Sequence, residues 1–331
     1  MKVADMHCDT ISELYDARKA GRDYGLAVNG LNVDIAKMIK GDYLVQNFAV
    51  FVNLKKHENP LEYCLELIDF YYKEMERNKD KIGIALTYED ILKNQAEGRL
   101  SGILTIEEGG TAQGSLANLR DFYRLGVRML TLTWNYANGI GYPNFTLVEG
   151  EKPDFKRPDC VNGLTEFGLE FLHEMEELGM IIDVSHLSDA GFYQVLQHTT
   201  RPFAASHSNA RGACCHSRNL SDDMIRRLAE RGGVMGVNYC PSFLDDTKEE
   251  SEVEGTIASI VHTIKHTVSV GGYECIGLGS DFDGIPTRKE LPDASCLPLL
   301  AGALSDAGLK QHEIEAIFYK NVLRLYRDVL K

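Results

Sequence analysis

The segment VADMHCD (residues 3–9) opens the chain with an apolar run that stops at His7 and Asp9. Side chains two positions apart in a strand point to the same side, so this imidazole and this carboxylate would project together, with Cys8 turned away. Burial of an apolar strand requires neither group. The segment therefore predicts a buried strand whose carboxyl end carries chemistry.

Seven further apolar, β-rich segments recur along the chain and alternate with stretches of helical periodicity. They are 44–52, 101–109, 127–134, 180–186, 202–207, 233–240 and 275–284. Continuous apolar runs of this length are typical of parallel strands that are buried on both faces. Eight such strands alternating with helices predict a (β/α)8 TIM barrel, with a doubly wound open sheet as the alternative.

Helical periodicity predicts helices over 60–77, 164–178 and 311–330, and Ser188 and Ser221 are predicted N-caps. No internal repeat or low-complexity linker divides the chain, so we expect a single barrel domain over residues 1–331. The region 135–163 is rich in Gly, Pro, Asn and charged residues and has no strand pattern. We therefore expect an inserted functional loop there.

Composition excludes several classes of partner. The net charge is −14, with 35 Lys and Arg against 49 Asp and Glu, so neither nucleic acid nor an anionic membrane surface is an expected partner. No segment reaches the ~20 apolar residues of a membrane helix, and the N-terminus has no secretory-signal pattern. The eight cysteines form no CxxC motif and predict reduced thiols, which indicates a cytoplasmic protein.

Acidic residues and histidines stand where the predicted strands end. They are His7, Asp9, Glu107, Glu108, His186, His207, Asp281 and Asp283. Active sites of TIM barrels lie at the carboxyl ends of the strands. Each residue alone could be a cap, a turn residue or a solvated pair, but their joint placement favours a catalytic metal site.

The number of candidate ligands favours two cations. An open catalytic zinc usually has three protein ligands, whereas two metals that share a carboxylate employ five. His7 and Asp9 would hold one cation, His186 and His207 the other, and Glu108 is the candidate bridge. Zinc accepts this mixture of nitrogen and oxygen ligands, and manganese or cobalt would also fit.

Six motifs in order resemble the renal (membrane) dipeptidase family, in its bacterial form, within the metal-dependent amidohydrolase superfamily. They are HCD at 7–9, EEGG at 107–110, LTLTWN at 130–135, IIDVSH at 181–186, SHSNAR and SRN within 206–219, and GLGSDFDG at 277–284. The resemblance spans nearly the whole chain. It implies a (β/α)8 barrel with two zinc ions, and a homodimer.

The resemblance also implies roles for individual residues. His7 and Asp9 match the first-metal ligands, and His186 and His207 match the second-metal ligands. It favours Glu108 over Glu107 as the bridge, because the family motif places its glutamate directly before the Gly pair.

Three further positions match substrate residues of the family or depart from them. Arg218 matches the residue that binds the terminal carboxylate of the dipeptide, and Asp281 matches the residue near the substrate amino group. Trp134 stands where animal members carry a histidine, so stabilisation of the oxyanion by a histidine does not carry over. The secretion signal and lipid-anchor tail of animal members have no counterpart, so we expect no attachment to a membrane.

The expected activity is hydrolysis of small dipeptides by metal-activated water, with Glu108 and Asp281 as the candidates for proton transfer. The expected substrates include dipeptides of L,L configuration, with L,D dipeptides as a further possibility. The alternatives are an amidohydrolase that acts on an N-acyl amino acid or a lactone, and a barrel that no longer catalyses. The presence of all five ligand positions disfavours the last of these.

Overall fold

The computed structural model describes residues 1–146, 154–247, 253–286 and 289–331. Within them, nine strands form one sheet in which all paired strands are parallel. The strands are β1 Val3–Asp5, β2 Tyr43–Phe51, β3 Ile82–Ile84, β4 Leu100–Glu107, β5 Val127–Thr131, β6 Ile181–Asp183, β7 Ala204–Ser208, β8 Val234–Val237 and β9 Ile276–Leu278.

The sheet closes on itself because β2 pairs with both β1 and β4. The eight strands β1, β2 and β4–β9 form the barrel, and the short β3 pairs only with the start of β4. The chain is therefore a TIM barrel, as the sequence predicts. Each of the eight predicted strands is present and several are shorter than predicted, whereas β3 was not predicted.

Helices cover the barrel between the strands. They are α1 Thr10–Lys19, α2 Ile35–Lys40, α3 Pro60–Arg77, α4 Tyr88–Ala96, α5 Leu116–Arg124, α6 Glu166–Leu178, α7 Asp189–His198, α8 Asp222–Glu230, α9 Ile257–Gly271, α10 Leu297–Asp306, α11 Gln311–Glu315 and α12 Asn321–Val329. Short 3-10 turns occupy Gly109–Ala112, Pro241–Phe243, Tyr273–Cys275 and Ala294–Cys296. In the described part of the chain, no helix has the length and apolar character needed to cross a membrane.

Local chemistry fixes several helix ends where the sequence predicts them. The side chains of Ser188 and Ser221 accept hydrogen bonds from the third residue of α7 and of α8. The predicted helix over 311–330 is instead divided, because Ala316–Lys320 is a π-helical turn between α11 and α12. Directly after this turn, the Asn321 side chain donates hydrogen bonds of 2.8 Å to the carbonyls of Tyr273 and Ile276.

Helix α12 covers the amino ends of the barrel strands. Its residues Val322, Leu325 and Tyr326 join an apolar cluster with residues near the starts of the strands, among them Ala4 and Val234. The hydroxyl of Tyr326 also donates a hydrogen bond of 2.7 Å to the side-chain oxygen of Asn47. The amino end of the barrel is thus sealed, which leaves the carboxyl end for chemistry.

The predicted loop over 135–163 includes residues 147–153, which lie outside the described residues. On either side of them, 135–146 and 154–163 contain neither helix nor strand. Isolated antiparallel bridges join Gly141 to Leu164 and Pro143 to Leu187, so the loop lies against the segment that carries His186.

We predict that Leu325→Ala lowers the free energy of unfolding by about 2–5 kcal/mol, because it opens a cavity in the buried apolar cluster that closes the amino end of the barrel. Urea titration followed by circular dichroism measures the change. Leu92→Ala, at a side chain that is 44% exposed, is the matched control and should have little effect. Equal losses in the two variants would contradict the proposed contribution of α12.

Candidate active site

Side chains from five strand ends meet at the carboxyl end of the barrel. His7 and Asp9 follow β1, His186 follows β6 and Asp281 follows β9. Glu107 is the last residue of β4, and His207 lies near the end of β7. These six residues are all buried.

One group of ligand atoms forms around His7. Its Nε2 lies 3.4 Å from Asp9 Oδ2, 3.3 Å from Glu107 Oε2 and 3.9 Å from Asp281 Oδ1. This nitrogen has no hydrogen-bond partner although it is buried. Such an unsatisfied nitrogen among carboxylate oxygens indicates a place for a cation.

A second group forms around His186 and His207. Their Nε2 atoms lie 3.1 Å apart, and Glu107 Oε1 lies 3.1 Å from the first and 3.5 Å from the second. The two oxygens of Glu107 therefore face different groups, one on the His7 side and one on the His186 side. This is the arrangement of a carboxylate that bridges two metals.

The predicted bridge, Glu108, lies outside this cluster, and its neighbour Glu107 lies within it. Glu108 Oε1 accepts hydrogen bonds from the amide of Gly110 and the side chain of Asn138, while Oε2 accepts one of 3.1 Å from the amide of Trp134. These donors hold the carboxylate against the loop that follows β5. Within the described residues, two of the three groups of side chains that could hold a metal contain Glu107, and none of the three contains Glu108.

Hydrogen bonds behind the cluster fix the tautomer of His207. Ser206 has one hydroxyl proton, which it donates to the buried carboxylate of Asp183 because a carboxylate can only accept; the two oxygens lie 2.6 Å apart. Ser206 must then accept from Nδ1 of His207, 2.7 Å away. The lone pair of His207 is consequently on Nε2, the atom that faces the cluster.

Four hydrogen bonds hold the carboxylate of Asp183 in place. Its carboxylate also accepts hydrogen bonds from the Thr131 hydroxyl at 2.6 Å and from the amides of Ser185 and Ser206 at 3.0 and 2.8 Å. A comparable contact orients His186, whose Nδ1 lies 2.9 Å from the side-chain oxygen of Asn135. Neither Asp183 nor Asn135 was predicted, although Asp183 lies within the motif IIDVSH.

The electrostatics of the cluster fit bound cations. Burial and the nearby guanidinium of Arg218 lower the pKa of His186 to about 4. Burial, the charge of His7 and that of Arg218 lower the pKa of His207 well below its usual value. Two neutral imidazoles therefore direct lone pairs at one another across 3.1 Å, an arrangement that repels unless a cation lies between them.

His7 differs from the other two histidines. Burial opposes its charged form, but the carboxylates of Glu107 and Asp9 raise its pKa well above the usual value. The same attraction from His7 keeps the pKa of Glu107 well below its usual value despite burial.

Asp281 sits at the edge of the cluster in a strained conformation. Its φ is 61°, and that of His186 is 68°, a region that non-glycine residues occupy at a cost of about 1–3 kcal/mol and that is often found at functional sites. Asn238 donates a hydrogen bond of 2.8 Å to Asp281 Oδ2. Burial raises the pKa of Asp281 to about 7 although the charge of His7 opposes the rise.

Arg218 offers a buried cation with free donors. Its Nη1 donates to the hydroxyl of Ser208 at 3.0 Å, and the guanidinium carbon lies 5.6 Å from the centre of the Phe243 ring. Nε and Nη2 are buried without partners within the described residues. A buried guanidinium with unpaired donors indicates an anionic ligand.

A cavity of about 250 Å³ opens over the cluster and gives access to it. Phe51, Trp134 and Phe243 are its aromatic lining residues, and Ser12 and Glu13 belong to the first turn of α1. The ring centre of Trp134 lies 4.9 Å from that of Phe51 and 6.2 Å from that of His186. Trp134, which the sequence analysis places among the substrate residues, is thus part of the wall of the cavity.

Comparison with known proteins gives a family match and similar chains. The family model described as membrane dipeptidase (peptidase family M19) matches residues 1–331. An uncharacterized dipeptidase of Schizosaccharomyces pombe is 33% identical over 90% of this chain and 73% of its own length. An uncharacterized protein in the pqqA 5' region of Klebsiella pneumoniae is 32% identical over 82% of this chain and 97% of its own length.

Solved structures share the fold. A metallo-peptidase named dipeptidase AC superposes with a TM-score of 0.90 at 24% identity, over 100% of this chain and 99% of that chain. A metallo-peptidase from Rhodobacter sphaeroides, liganded with a phosphinate mimic of L-Ala-D-Ala, gives 0.89 at 23% identity, over 99% of each chain.

A TIM barrel with histidines and carboxylates gathered at its strand ends defines the class of metal-dependent hydrolases. Within that class, the chain belongs to the membrane dipeptidase family, as the resemblance of its motifs implies. It is accordingly a metallo-dipeptidase, a hydrolase of peptide bonds.

We predict that Ser206→Ala weakens the affinity for divalent metal by about 10–100-fold, because His207 loses the contact that fixes its tautomer. Competition with a chromogenic chelator measures the affinity directly. Ser101→Ala, which removes a buried strand hydroxyl far from the strand end, is the control and should leave the affinity unchanged. Equal affinity in all three proteins would remove Ser206 from the support of the site.

Proposed function

We propose that this metallo-dipeptidase hydrolyses small dipeptides at a site that holds two zinc ions. The proposed ligands are His7 and Asp9 for the first metal, His186 and His207 for the second, and Glu107 as the bridge. Glu107 replaces Glu108 of the sequence prediction. The observation that carries the proposal is the position of the Glu107 carboxylate, whose two oxygens face the two groups of ligand atoms.

The donor set favours zinc. Three imidazole nitrogens and carboxylate oxygens are ligands that zinc binds at about 2.0–2.2 Å, and manganese or cobalt would accept the same set. When bound, such cations act as Lewis acids and lower the pKa of water so that it can attack at neutral pH. Two of them are proposed because a single open site would leave donors of this cluster unused.

Asp281 is the proposed proton carrier. Its carboxylate lies beside the first group of ligand atoms, and Asn238 holds its Oδ2 in place. Asp281 can therefore accept a proton from the attacking water at Oδ1 and deliver it to the leaving amine. Glu108, the other sequence candidate for this role, is occupied by its hydrogen bonds to the loop after β5 and serves to position Trp134.

Arg218 is proposed to bind the C-terminal carboxylate of the substrate. Its free Nε and Nη2 donors can form a two-pronged contact with a carboxylate. A longer peptide would place a neutral amide beside this buried charge and leave it unpaired, so the contact limits the substrate to two residues. Trp134, in place of the histidine of animal members, is proposed to pack against the substrate.

The structural relative from Rhodobacter sphaeroides, with its phosphinate mimic of L-Ala-D-Ala, supports the inclusion of L,D dipeptides among the substrates to be tested. An N-acyl amino acid is the second candidate, because it shares the free carboxylate that Arg218 would bind. It lacks the free amino group that Asp281 would meet. Comparison of a dipeptide with its N-acetylated form separates the two.

We also propose that the enzyme works in the cytoplasm. The eight cysteines form no disulfide among the described residues, which fits a reducing compartment. The homodimer expected from the family stays a prediction.

We predict that Glu107→Gln reduces bound zinc from two ions per chain to one or none, because the shared carboxylate is lost. Glu108→Gln is the matched variant, one residue along the chain, and should keep both ions. Elemental analysis after dialysis measures the ratio of metal to protein. Loss of zinc in Glu108→Gln with retention in Glu107→Gln would restore the sequence assignment.

We predict that Arg218→Ala raises KM for a dipeptide by about 10–100-fold, since a charge-assisted contact contributes about 1.5–3 kcal/mol. The metal content should not change. The dipeptide amide, which lacks the carboxylate, is the control substrate. Steady-state kinetics should show that the substitution raises KM for the dipeptide and leaves KM for its amide unchanged. Equal changes in the two KM values would exclude a carboxylate contact.

A further inference from the structure

Glu13 is an acidic residue of the cavity that has no part in the proposed chemistry. It lies in the first turn of α1, lines the cavity and is exposed. Its carboxylate forms neither a hydrogen bond nor an ion pair with any described residue. Apart from a weak attraction to Arg22, the charges that act on it are the carboxylates of Asp16, Asp9 and Asp283, so Glu13 adds to a negative region.

The charged residues of the site determine the orientation of a bound dipeptide. Arg218 donates a hydrogen bond of 3.0 Å to the hydroxyl of Ser208, the residue after His207, which places its positive charge on the side of the proposed second metal. Glu13 follows Asp9, a ligand of the proposed first metal, and its amide donates a hydrogen bond to the Asp9 carbonyl. A dipeptide with its carboxylate on Arg218 therefore directs its N-terminal residue toward Glu13.

The spacing fits a long side chain. Asp9 caps α1 and its carbonyl accepts from the amide of Glu13 at 3.1 Å, so the two residues are one helical turn apart. Four residues of helix rise about 6 Å, which is close to the reach of an extended lysine or arginine side chain. The aromatic wall formed by Phe51 and Trp134 would accompany the apolar stem of such a side chain.

We propose that Glu13 determines specificity by favouring dipeptides whose N-terminal residue carries a basic side chain. This inference rests on the proposed dipeptidase activity and on the direction that Arg218 gives the substrate. Glu13 acts on the substrate side chain and takes no part in bond cleavage.

The test compares two substrates of nearly equal shape on the zinc-loaded enzyme. Lysyl-alanine carries the cation, and norleucyl-alanine lacks it. In Glu13→Gln the ratio of their kcat/KM values should fall about fivefold, the effect of a partly exposed ion pair. Asp23→Asn removes an exposed acid that does not line the cavity and should leave the ratio unchanged.

A second variant reverses the charge. Glu13→Lys should favour glutamyl-alanine over glutaminyl-alanine, and added salt should reduce every such preference because it screens exposed charges. An unchanged ratio in Glu13→Gln would overturn the proposal and leave Glu13 as an acid that stabilises the start of α1. An equal loss on both substrates would also overturn it, since Glu13 would then act on the amino group or on the fold.

Failure of the underlying activity gives a different result. If the unaltered enzyme cleaves neither lysyl-alanine nor norleucyl-alanine while it holds zinc, the proposed dipeptide substrate is wrong, whatever Glu13 does. If the unaltered enzyme cleaves norleucyl-alanine as well as lysyl-alanine or better, the activity stands and the preference for basic residues is wrong.

Discussion

The shared carboxylate of Glu107 is the constraint on which the rest of the site depends. It places one oxygen among His7, Asp9 and Asp281 and the other beside His186 and His207. Buried carboxylates would repel one another, and so would the lone pairs of neighbouring imidazoles, if positive charge did not lie between them. The ligand atoms are therefore preorganised to bind cations. The closed barrel supplies the rigidity that this preorganisation requires. Helix α12, by sealing the opposite end, confines solvent access to the face that carries the chemistry.

The residues behind the ligands explain how such an arrangement persists. Asp183 accepts four hydrogen bonds, and one of them comes from the hydroxyl that sets the tautomer of His207. Glu108 connects the end of β4 to the loop after β5, with a φ of 100° that lets its side chain turn away from that of Glu107. Adjacent glutamates thus serve different purposes because the strand ends between them. The strained backbone at His186 and Asp281 is held by the same surrounding contacts.

Much of the fold could be predicted from the sequence, because buried parallel strands leave continuous apolar runs. The three-residue strand β3 could not, since Ile82–Ile84 is too short to produce a pattern. Nor could the π-helical turn at 316–320, whose neighbour Asn321 is anchored to carbonyls at the start of β9. The choice of Glu108 followed the position of the Gly pair, yet strand alternation contains the better signal. Ile103 belongs to the barrel interior and Leu104 and Ile106 to the outer core, so the interior face continues to Glu107.

What the sequence could not supply is the relation between charges that lie far apart in the chain. Glu13 and Arg218 are separated by most of the barrel in sequence, and only closure of the sheet brings both to its carboxyl end, where Glu13 lines the cavity and Arg218 contacts Phe243 of the cavity wall. In the proposed mode of binding, Arg218 meets the terminal carboxylate of a dipeptide and Asp281 meets its amino group, so these two buried residues give the site a polarity that matches a zwitterion. A dipeptide is the smallest peptide that has this polarity, and its single amide lies between the two charged ends. The position of the shared carboxylate between those ends is thus consistent with cleavage of that amide and with rejection of longer chains.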